Sequence, residues 1–212
     1  MRTTARLAAI ALAGSAWLLA GCISVGIGTS ESSVQAQYRL DDLAPPPARA
    51  AQPIPRSLVI AAMPSVGVGD TFSMAYSRAP QRRSLYQYAS WADRPSSRVV
   101  QLLTRRVDAR GLFTSVAELG HGVAGDLMLN VTVDELVHET AAAAGRVQLT
   151  AELVDRTDRT LVARRRFEAA SPVAPENAPA AVEALSRALT SVLDELMPWL
   201  ESAAARRPAA AR

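Results

Sequence analysis

The sequence contains no lysine, one cysteine and two histidines, and only 5% of its residues are aromatic. A single cysteine, Cys22, cannot close a disulfide within the chain or build a thiolate metal site. All 23 basic residues are arginine, so the sequence pI of 9.6 partly reflects the high pKa of arginine. Because 20 acidic residues oppose them, the composition does not indicate a nucleic-acid partner.

Sequence patterns of catalytic chemistry are also missing. There is no P-loop, no dinucleotide-binding fingerprint, no G-x-S-x-G nucleophile elbow and no metal-ligand spacing. His138 follows Asp134 by four residues, a spacing that on a strand leaves them about 13 Å apart. His121 lies between two glycines, in a turn that we expect to be exposed to solvent. We therefore predict no catalytic residue, no metal site and no bound cofactor.

The N-terminal residues have the pattern of an export signal. Residues 1–6 carry Arg2 and Arg6 without an acid, and residues 7–19 carry no charge. As a helix, the uncharged run reaches only ~20 Å, against a hydrocarbon core of ~30 Å. Its length and flanks are those of a secretory signal peptide.

The sequence Leu19-Ala20-Gly21-Cys22 resembles a lipobox. It implies cleavage between Gly21 and Cys22, with a covalent lipid, including acyl chains such as palmitate, on the new N-terminal cysteine. An ordinary signal peptide that happens to contain a cysteine is the alternative. Each buried methylene contributes about 0.8 kcal/mol, so two or more chains attach stably to a membrane. Ile23, which follows the cysteine where an aspartate would favour the inner membrane, points to the outer membrane.

The chain divides into four parts. We predict a signal peptide over 1–21, a lipidated flexible tether over 22–37, a folded domain over 38–200 and a disordered tail over 201–212. The tether is small and polar, and prolines between Pro45 and Pro55 stiffen the segment that follows it.

Apolar runs and alternating patterns predict the strands. Leu58–Met63 is a continuous apolar run, which predicts a central strand buried on both faces. Thr71–Ser77 and Ser84–Tyr88 predict a short exposed hairpin. The other predicted strands are Tyr38–Leu40, Asp126–Val137, Val147–Leu153 and Leu161–Ala169. A longer loop, His138–Gly145, precedes the third of these, and Arg156–Thr160 joins the last two as an antiparallel hairpin.

Two segments have the apolar spacing of amphipathic helices. Asp93 is expected to cap the first, and Gly111 to end it in the left-handed conformation. The second begins near Asn177, and Pro198 is expected to end it near Trp199. With the strands, they predict an α+β fold: a mainly antiparallel sheet of four to six strands with two amphipathic helices packed on one face.

The run Arg164-Arg165-Arg166 is a candidate for partner binding. If Phe167 faces the core, Arg165 shares its face, and Arg164 and Arg166 point to the other. Arg164 and Arg166 then either discourage edge-to-edge aggregation or contact a partner or a lipid headgroup.

Tyr86, Tyr88 and Trp91 form an aromatic cluster. We expect Trp91 to pack under the first helix. Tyr86 and Tyr88 lie two residues apart on a strand, so they share one face of the predicted hairpin. They either pack locally or anchor a partner, because aromatic anchors dominate the energetics of interfaces.

Several segments together carry a family resemblance. They are the lipobox at Cys22, Tyr38–Leu40, Leu58–Pro64, Tyr86–Trp91 with Pro95, Gly111–Phe113, Gly125–Leu129, Ala151–Asp155 and Arg164–Phe167. In this order, over residues 22–200, they resemble the auxiliary lipoproteins of ABC-type transport systems. That family includes the PqiC-like lipoprotein of the paraquat-inducible intermembrane transport system. One departure is Leu127, where many members have an aromatic residue.

The resemblance implies a non-catalytic part in moving lipids or other hydrophobic compounds across the periplasm. It implies as partners an ATPase, a permease and a membrane-anchored substrate-binding protein of the MCE type. The lipoprotein would lie at the outer-membrane end of the system, as a docking piece or as a homo-oligomeric ring. A structural or assembly lipoprotein of the outer membrane is the alternative function.

Overall fold

The computed structural model describes residues 35–65 and 70–206, which we call the body. The predicted signal peptide, with its cleavage site at Gly21, and the lipidation site Cys22 lie outside the described residues. Residues 23–34 of the predicted tether and residues 207–212 of the predicted tail also lie outside them.

The described residues form eight strands and two α-helices. The strands are β1 (Ala36–Tyr38), β2 (Ile54–Met63), β3 (Ser73–Ala79), β4 (Arg82–Trp91), β5 (Phe113–Glu118), β6 (Leu127–Glu139), β7 (Ala144–Asp155) and β8 (Thr160–Pro172). The helices are α1 (Pro95–Arg110) and α2 (Ala178–Ala204).

The α+β class is confirmed, but the predicted four to six strands are too few, because all eight described strands join one sheet. The sheet is mixed. Within the described residues, β6–β7, β7–β8 and β3–β4 pair antiparallel, and β1–β4, β2–β5, β2–β6 and β3–β6 pair in parallel. Helix α1 packs against β2 and β5, and α2 packs against β7 and β8. The apolar core lies between the helices and the sheet.

The link between β6 and β7 is a single 3₁₀ turn, Thr140–Ala142. The longer loop predicted over His138–Gly145 is wrong, because both strands continue into that segment. His138 pairs with Gly145 across the two strands, and its side chain is buried. The antiparallel hairpin between β7 and β8 is confirmed.

Strand β2 is central, as the apolar run predicts. It pairs in parallel with β5 on one side and with β6 on the other, and Leu58–Ala61 is buried. The sequence does not predict β5, because Phe113–Glu118 has no apolar alternation. Its pairing with β2 supplies the backbone hydrogen bonds that hold it as a strand.

The hairpin of β3 and β4 is longer than predicted and is exposed only in part. Residues Tyr76 and Ser77 of β3 pair in parallel with the end of β6, and β1 pairs in parallel with β4. Strand β6 covers the hairpin near its tip, and β1 covers its base, where Trp91 is buried in the core. The first strand is Ala36–Tyr38 and not the predicted Tyr38–Leu40, so it includes Ala36 and Gln37 of the predicted tether, which pair with β4.

The first helix ends as predicted but begins differently. Gly111 has φ 60°, the left-handed conformation that favours glycine. Asp93 does not cap the helix: Arg94 is the N-cap and has no side-chain capping bond. The Ser96 amide instead donates to Oδ1 of Asp70, at 2.9 Å. The prediction fails because the cap comes from another segment, while Asp93 forms an ion pair elsewhere.

The second helix is capped as predicted but is longer. The Asn177 side chain accepts a hydrogen bond from the Ala180 amide, at 2.9 Å. The predicted end at Pro198 is wrong, because α2 continues to Ala204 and includes the first residues of the predicted tail. Pro198 removes one helical hydrogen bond, and burial of Leu200 and the residues beyond it stabilises the last turns.

Candidate functional site

The arginine run lies on β8, which pairs only with β7 among the described strands. Phe167 is buried, and its ring centroid is 5.5 Å from that of Trp199 on α2. Arg165 shares this face: its guanidinium lies 4.9 Å from the Phe167 ring centroid and 3.6 Å from a carboxylate oxygen of Glu195. The predicted division of the three arginines between the two faces is therefore confirmed.

Arg164 and Arg166 lie on the face of the sheet opposite α2. Arg164 is 3.2 Å from a carboxylate oxygen of Glu152, and Arg166 is 3.7 Å from one of Asp134. Both side chains are nevertheless 64% exposed, and ion pairs of such exposure contribute little stability. Each guanidinium therefore keeps N–H groups that a carboxylate or phosphate of a partner can accept from.

Tyr86 and Tyr88, which were predicted to share one face of the hairpin, have different surroundings, because β4 contains a bulge at these residues. Between two paired positions of the hairpin, one residue of β3, Met74, lies opposite four residues of β4, 86–89. Such a bulge changes the direction of the side chains that it contains. Tyr86 is half-buried, whereas Tyr88 is 53% exposed.

Tyr86 belongs to a cluster with Tyr76 and His138. Its hydroxyl shares a 2.6 Å hydrogen bond with Nδ1 of His138, and its ring centroid lies 5.1 Å from that of Tyr76. Burial raises the pKa of Tyr86, and the nearby Tyr76 raises it further. Burial lowers the pKa of His138. The cluster therefore joins the hairpin to β6 through neutral side chains.

A cleft of about 380 Å³ lies between the hairpin and the β6–β7 turn. It is lined by Ser77, Ala79, Pro80, Gln81, Arg83, Glu135, Glu139, Ala141 and Ala142. Arg83 is fixed in it, since it donates to the Ser77 hydroxyl at 3.1 Å and to Glu135 at 2.9 Å.

The histidines do not form a catalytic arrangement with Asp134. That carboxylate accepts a hydrogen bond from Thr150, while His138 bonds Tyr86, and His121 is exposed as expected. Within residues 35–65 and 70–206, no three histidine, cysteine, aspartate or glutamate side chains are grouped as metal ligands. None of the described helices is both long and apolar enough to cross a membrane.

The segment that follows β1, residues 39–53, we call the strap; sequence reasoning predicted its stiff prolines but missed the contacts that hold it. Helix α1 holds it with arginines: Arg98 Nε donates to the Leu40 carbonyl at 2.8 Å, and Arg106 lies 3.4 Å from a carboxylate oxygen of Asp42. Because these partners are more than fifty residues apart, no local pattern reports them.

Helix α2 holds the other side of the strap. The Ser186 hydroxyl accepts a hydrogen bond from the Asp41 amide at 3.2 Å, and that of Thr190 accepts one from the Leu43 amide at 2.9 Å. The strap therefore carries the chain from β1 across both helices to β2.

Comparison with known proteins gives one family. The model of the ABC-type transport auxiliary lipoprotein component matches residues 38–197. No curated protein matches the chain. The crystal structure of XCC0632 from Xanthomonas campestris is 22% identical, covering 78% of this chain and 95% of that one with a TM-score of 0.70. The crystal structure of an uncharacterized protein is 12% identical, covering 78% of this chain and 99% of its own with a TM-score of 0.59.

The two structural likenesses show a shared fold. The family match extends from the end of β1 into the last turns of α2, and so over nearly the whole body. The chain therefore belongs to the family of ABC-type transport auxiliary lipoprotein components.

Proposed function

We propose that the protein is a periplasm-facing, non-catalytic component of an MCE-associated ABC transport system. In this proposal it helps to move lipids or other hydrophobic compounds between the two membranes, and acyl chains on Cys22 hold it at the outer membrane. The family match over residues 38–197 carries the proposal, because it covers both helices almost completely and every described strand except most of β1.

The lipobox supports the anchoring part of the proposal. Residues 19–22 place the cysteine directly after small residues, as the processing enzymes require, and Cys22 has no other cysteine to pair with. Two or more acyl chains give attachment that one chain does not. Residues 23–34 then separate the anchor from the body.

Exposed side chains support a second part of the proposal, that the body docks to a protein of the transport system. Arg164 and Arg166 offer guanidinium donors on one face of the edge strand, and Tyr88 offers a large amphipathic ring on β4. We propose that these three residues contact an MCE-type protein, a permease or a second copy of the chain. Tyr86, two residues before Tyr88, stabilises β4 through the hydrogen bond of its hydroxyl to His138 on β6.

Metabolic labelling tests the anchor. In cells fed an alkyne analogue of palmitate, the full-length chain is expected to take up label, and Cys22→Ala is expected to abolish uptake and leave the precursor uncleaved. Ser24→Ala, a neighbouring change that keeps the thiol, is the control. Label on the Cys22→Ala chain, or a bare N-terminal cysteine by mass spectrometry of the parent, would contradict the proposal.

Cross-linking and affinity purification from native envelopes test the partners. An MCE-type protein or a cognate permease is expected to copurify with the tagged full-length chain. Arg164→Glu with Arg166→Glu should weaken recovery at least tenfold, since reversal replaces attraction by repulsion. Arg105→Glu with Arg159→Glu makes the same charge change at other exposed positions. Recovery of only an outer-membrane assembly machine would favour the structural alternative and reject the transport role.

A further inference from the structure

We propose that the tip of the β3–β4 hairpin, residues 78–83, contacts the membrane surface and binds anionic phospholipid headgroups. The membrane is the one that holds the acyl chains of Cys22, so the inference rests on the proposed function. It adds a second, electrostatic contact to the lipid anchor and so sets which end of the body faces the bilayer.

The charge of the hairpin is the first observation. Residues 71–91 contain three arginines, Arg78, Arg82 and Arg83, and no acidic residue. Arg83 is occupied by Glu135, and Arg78 lies over the Tyr76 ring, 5.3 Å from its centroid. Arg78 and Arg82 are both exposed, and neither forms an ion pair within the part of the chain that the structure describes.

The hairpin tip lies at one end of the sheet, beside the β6–β7 turn, and the two line the 380 Å³ cleft. Pairing of β3 with β6 ends at Ser77 and Glu139, whereas the two hairpin strands continue past that point. Ala79 and Pro80 form an exposed apex between the two arginines, and Gln81 completes the turn with φ 65°. The tip therefore presents small, uncharged residues flanked by guanidinium groups, a pattern that suits the headgroup region of a bilayer.

The base of the tip is held rigidly. The Thr140 hydroxyl donates to the Ser77 carbonyl at 3.1 Å, and Arg83 binds Glu135. Behind them, the Tyr86 hydroxyl bonds His138. Because the hairpin is tied to β6 at three places, a contact made at its tip orients the whole body.

The direction of β1 is compatible with an anchor on the side of the tip. Strand β4 begins at the tip and runs away from it, and β1 is parallel to β4, with Ala36 opposite Ala89. The chain therefore enters β1 from the side of the tip. Between Cys22 and Ala36 the chain can reach about 50 Å, which is long enough for the tip to touch the membrane that holds the anchor.

An exposed apolar side chain continues the surface from the tip along β4: Leu85, three residues after Arg82, is 49% exposed. Arginine side chains lie well at a membrane interface, because the apolar stem is buried there while the charged group stays among the headgroups. The unpaired arginines and this apolar side chain together favour a lipid surface over a protein partner for the tip.

Site-specific labelling of the reconstituted, lipidated chain tests the proposal. Gln81→Cys places the only free thiol at the tip, because Cys22, the only native cysteine, carries the lipid. A polarity-sensitive fluorophore on it is expected to shift to the blue, and to be quenched by headgroup-labelled lipid, in vesicles containing 30% phosphatidylglycerol. Asp158→Cys, at the opposite end of the sheet, is the control and should keep the signal of a water-exposed probe.

Charge variants then test the headgroup contact. An arginine near an anionic surface changes the binding equilibrium about fivefold, so Arg78→Gln with Arg82→Gln should lower the equilibrium constant for contact about twenty-five-fold. Arg156→Gln with Arg159→Gln, the same change at the far end, should have no effect. Raising the salt concentration should weaken the contact of the parent tip.

The outcomes separate this inference from the proposed function. A tip probe that stays in water with both phosphatidylglycerol and phosphatidylcholine vesicles would overturn the inference while the chain remains lipidated. Protection of the tip by envelope proteins alone, and not by lipid, would assign it to a protein partner and also overturn it. Reaction of Cys22 in the parent chain with the thiol-reactive fluorophore would instead show that this cysteine carries no lipid, and so that the acyl anchor of the proposed function is missing.

Discussion

Helix α2 rests on β7 and β8 through apolar side chains, whereas α1 and α2 together hold the strap through hydrogen bonds and ion pairs. At Gly145 the approach of α2 is so close that an added Cβ would lie 3.0 Å from the Leu185 amide nitrogen. Around the strap, by contrast, Arg98 and Arg106 bind carbonyl and carboxylate oxygens. One body thus contains a contact made by burial and a contact made by charge.

The two kinds of contact imply that parts of the body open separately. Burial of an apolar helix face is part of the common core, so its loss is expected to destabilise the whole fold. The strap contributes few core residues apart from Leu40, and its contacts are specific but local. We therefore expect α2 to report global stability and the strap to report local opening beside the tether.

The largest expected effect is on the α2 side. Leu185 is fully buried, and Leu185→Ala should lower the free energy of unfolding by about 3 kcal/mol, through lost burial and a cavity. Urea unfolding followed by tryptophan fluorescence measures it. Glu183→Ala, on the exposed side of the same helix, should change stability by less than about 0.5 kcal/mol. Equal losses in the two variants would remove the distinction between the faces of α2.

The next effect is on the strap. Arg98 is 6% exposed, and Arg98→Met keeps most of the apolar stem but leaves the Leu40 carbonyl without its donor. We expect a loss of about 2 kcal/mol, because hydrogen bonds from charged groups contribute about 1.5–3 kcal/mol each. Arg105→Met, at an exposed position of α1, is the control.

Hydrogen exchange sharpens this prediction. In Arg98→Met, the Asp41 and Leu43 amides, which donate to Ser186 and Thr190, should exchange faster. Amides of β7 should change only with global stability. Equal acceleration in both regions would mean that the strap is part of the global unfolding unit.

Strands β7 and β5 show which elements the sequence alone can predict. In β7, Val147, Leu149, Ala151 and Leu153 alternate with more exposed residues, so a local pattern predicts both the strand and its buried face. In β5 no such pattern exists. That strand depends on a parallel partner more than fifty residues earlier, which a local pattern cannot report.

The candidate site divides in the same way. The faces of Arg164 and Arg166 follow from alternation around Phe167, and the structure confirms them. The separation of Tyr86 from Tyr88 does not follow, because it depends on a bulge and on His138, 52 residues away. Contacts within one element are therefore predictable here, and contacts between distant segments are not.

A smaller effect is expected at the start of α2. Asn177→Ala removes the oxygen that accepts from the Ala180 amide and should lower the free energy of unfolding by about 1 kcal/mol. Asn177→Asp keeps a capping oxygen and is the matched control. Urea unfolding of both variants gives the comparison. A loss in the aspartate variant as large as that in the alanine variant would show that the cap is not what stabilises this end.

The smallest effect is expected only at acidic pH and concerns His138, which is buried against Tyr86. Burial lowers the pKa of His138 in the folded chain, whereas the unfolded residue titrates near its usual pKa of 6.5. Below about pH 6.5 the unfolded chain binds the proton more readily, so stability should fall as the pH falls towards the folded pKa. Above that range histidine is neutral in both states and contributes no pH dependence.

Urea unfolding between pH 7.5 and pH 5 measures this slope, and His138→Gln should flatten it. Asp126 and Asp155 do not contribute to the slope in this pH range, because their pKa values are lowered from 3.8 and they titrate at more acidic pH. Tyr86→Phe keeps the ring but removes the hydroxyl bonded to Nδ1, so its slope separates burial from hydrogen bonding. Burial is the main cause of the lowered pKa, so the slope should survive Tyr86→Phe. If it disappeared, the hydrogen bond rather than burial would hold the histidine neutral.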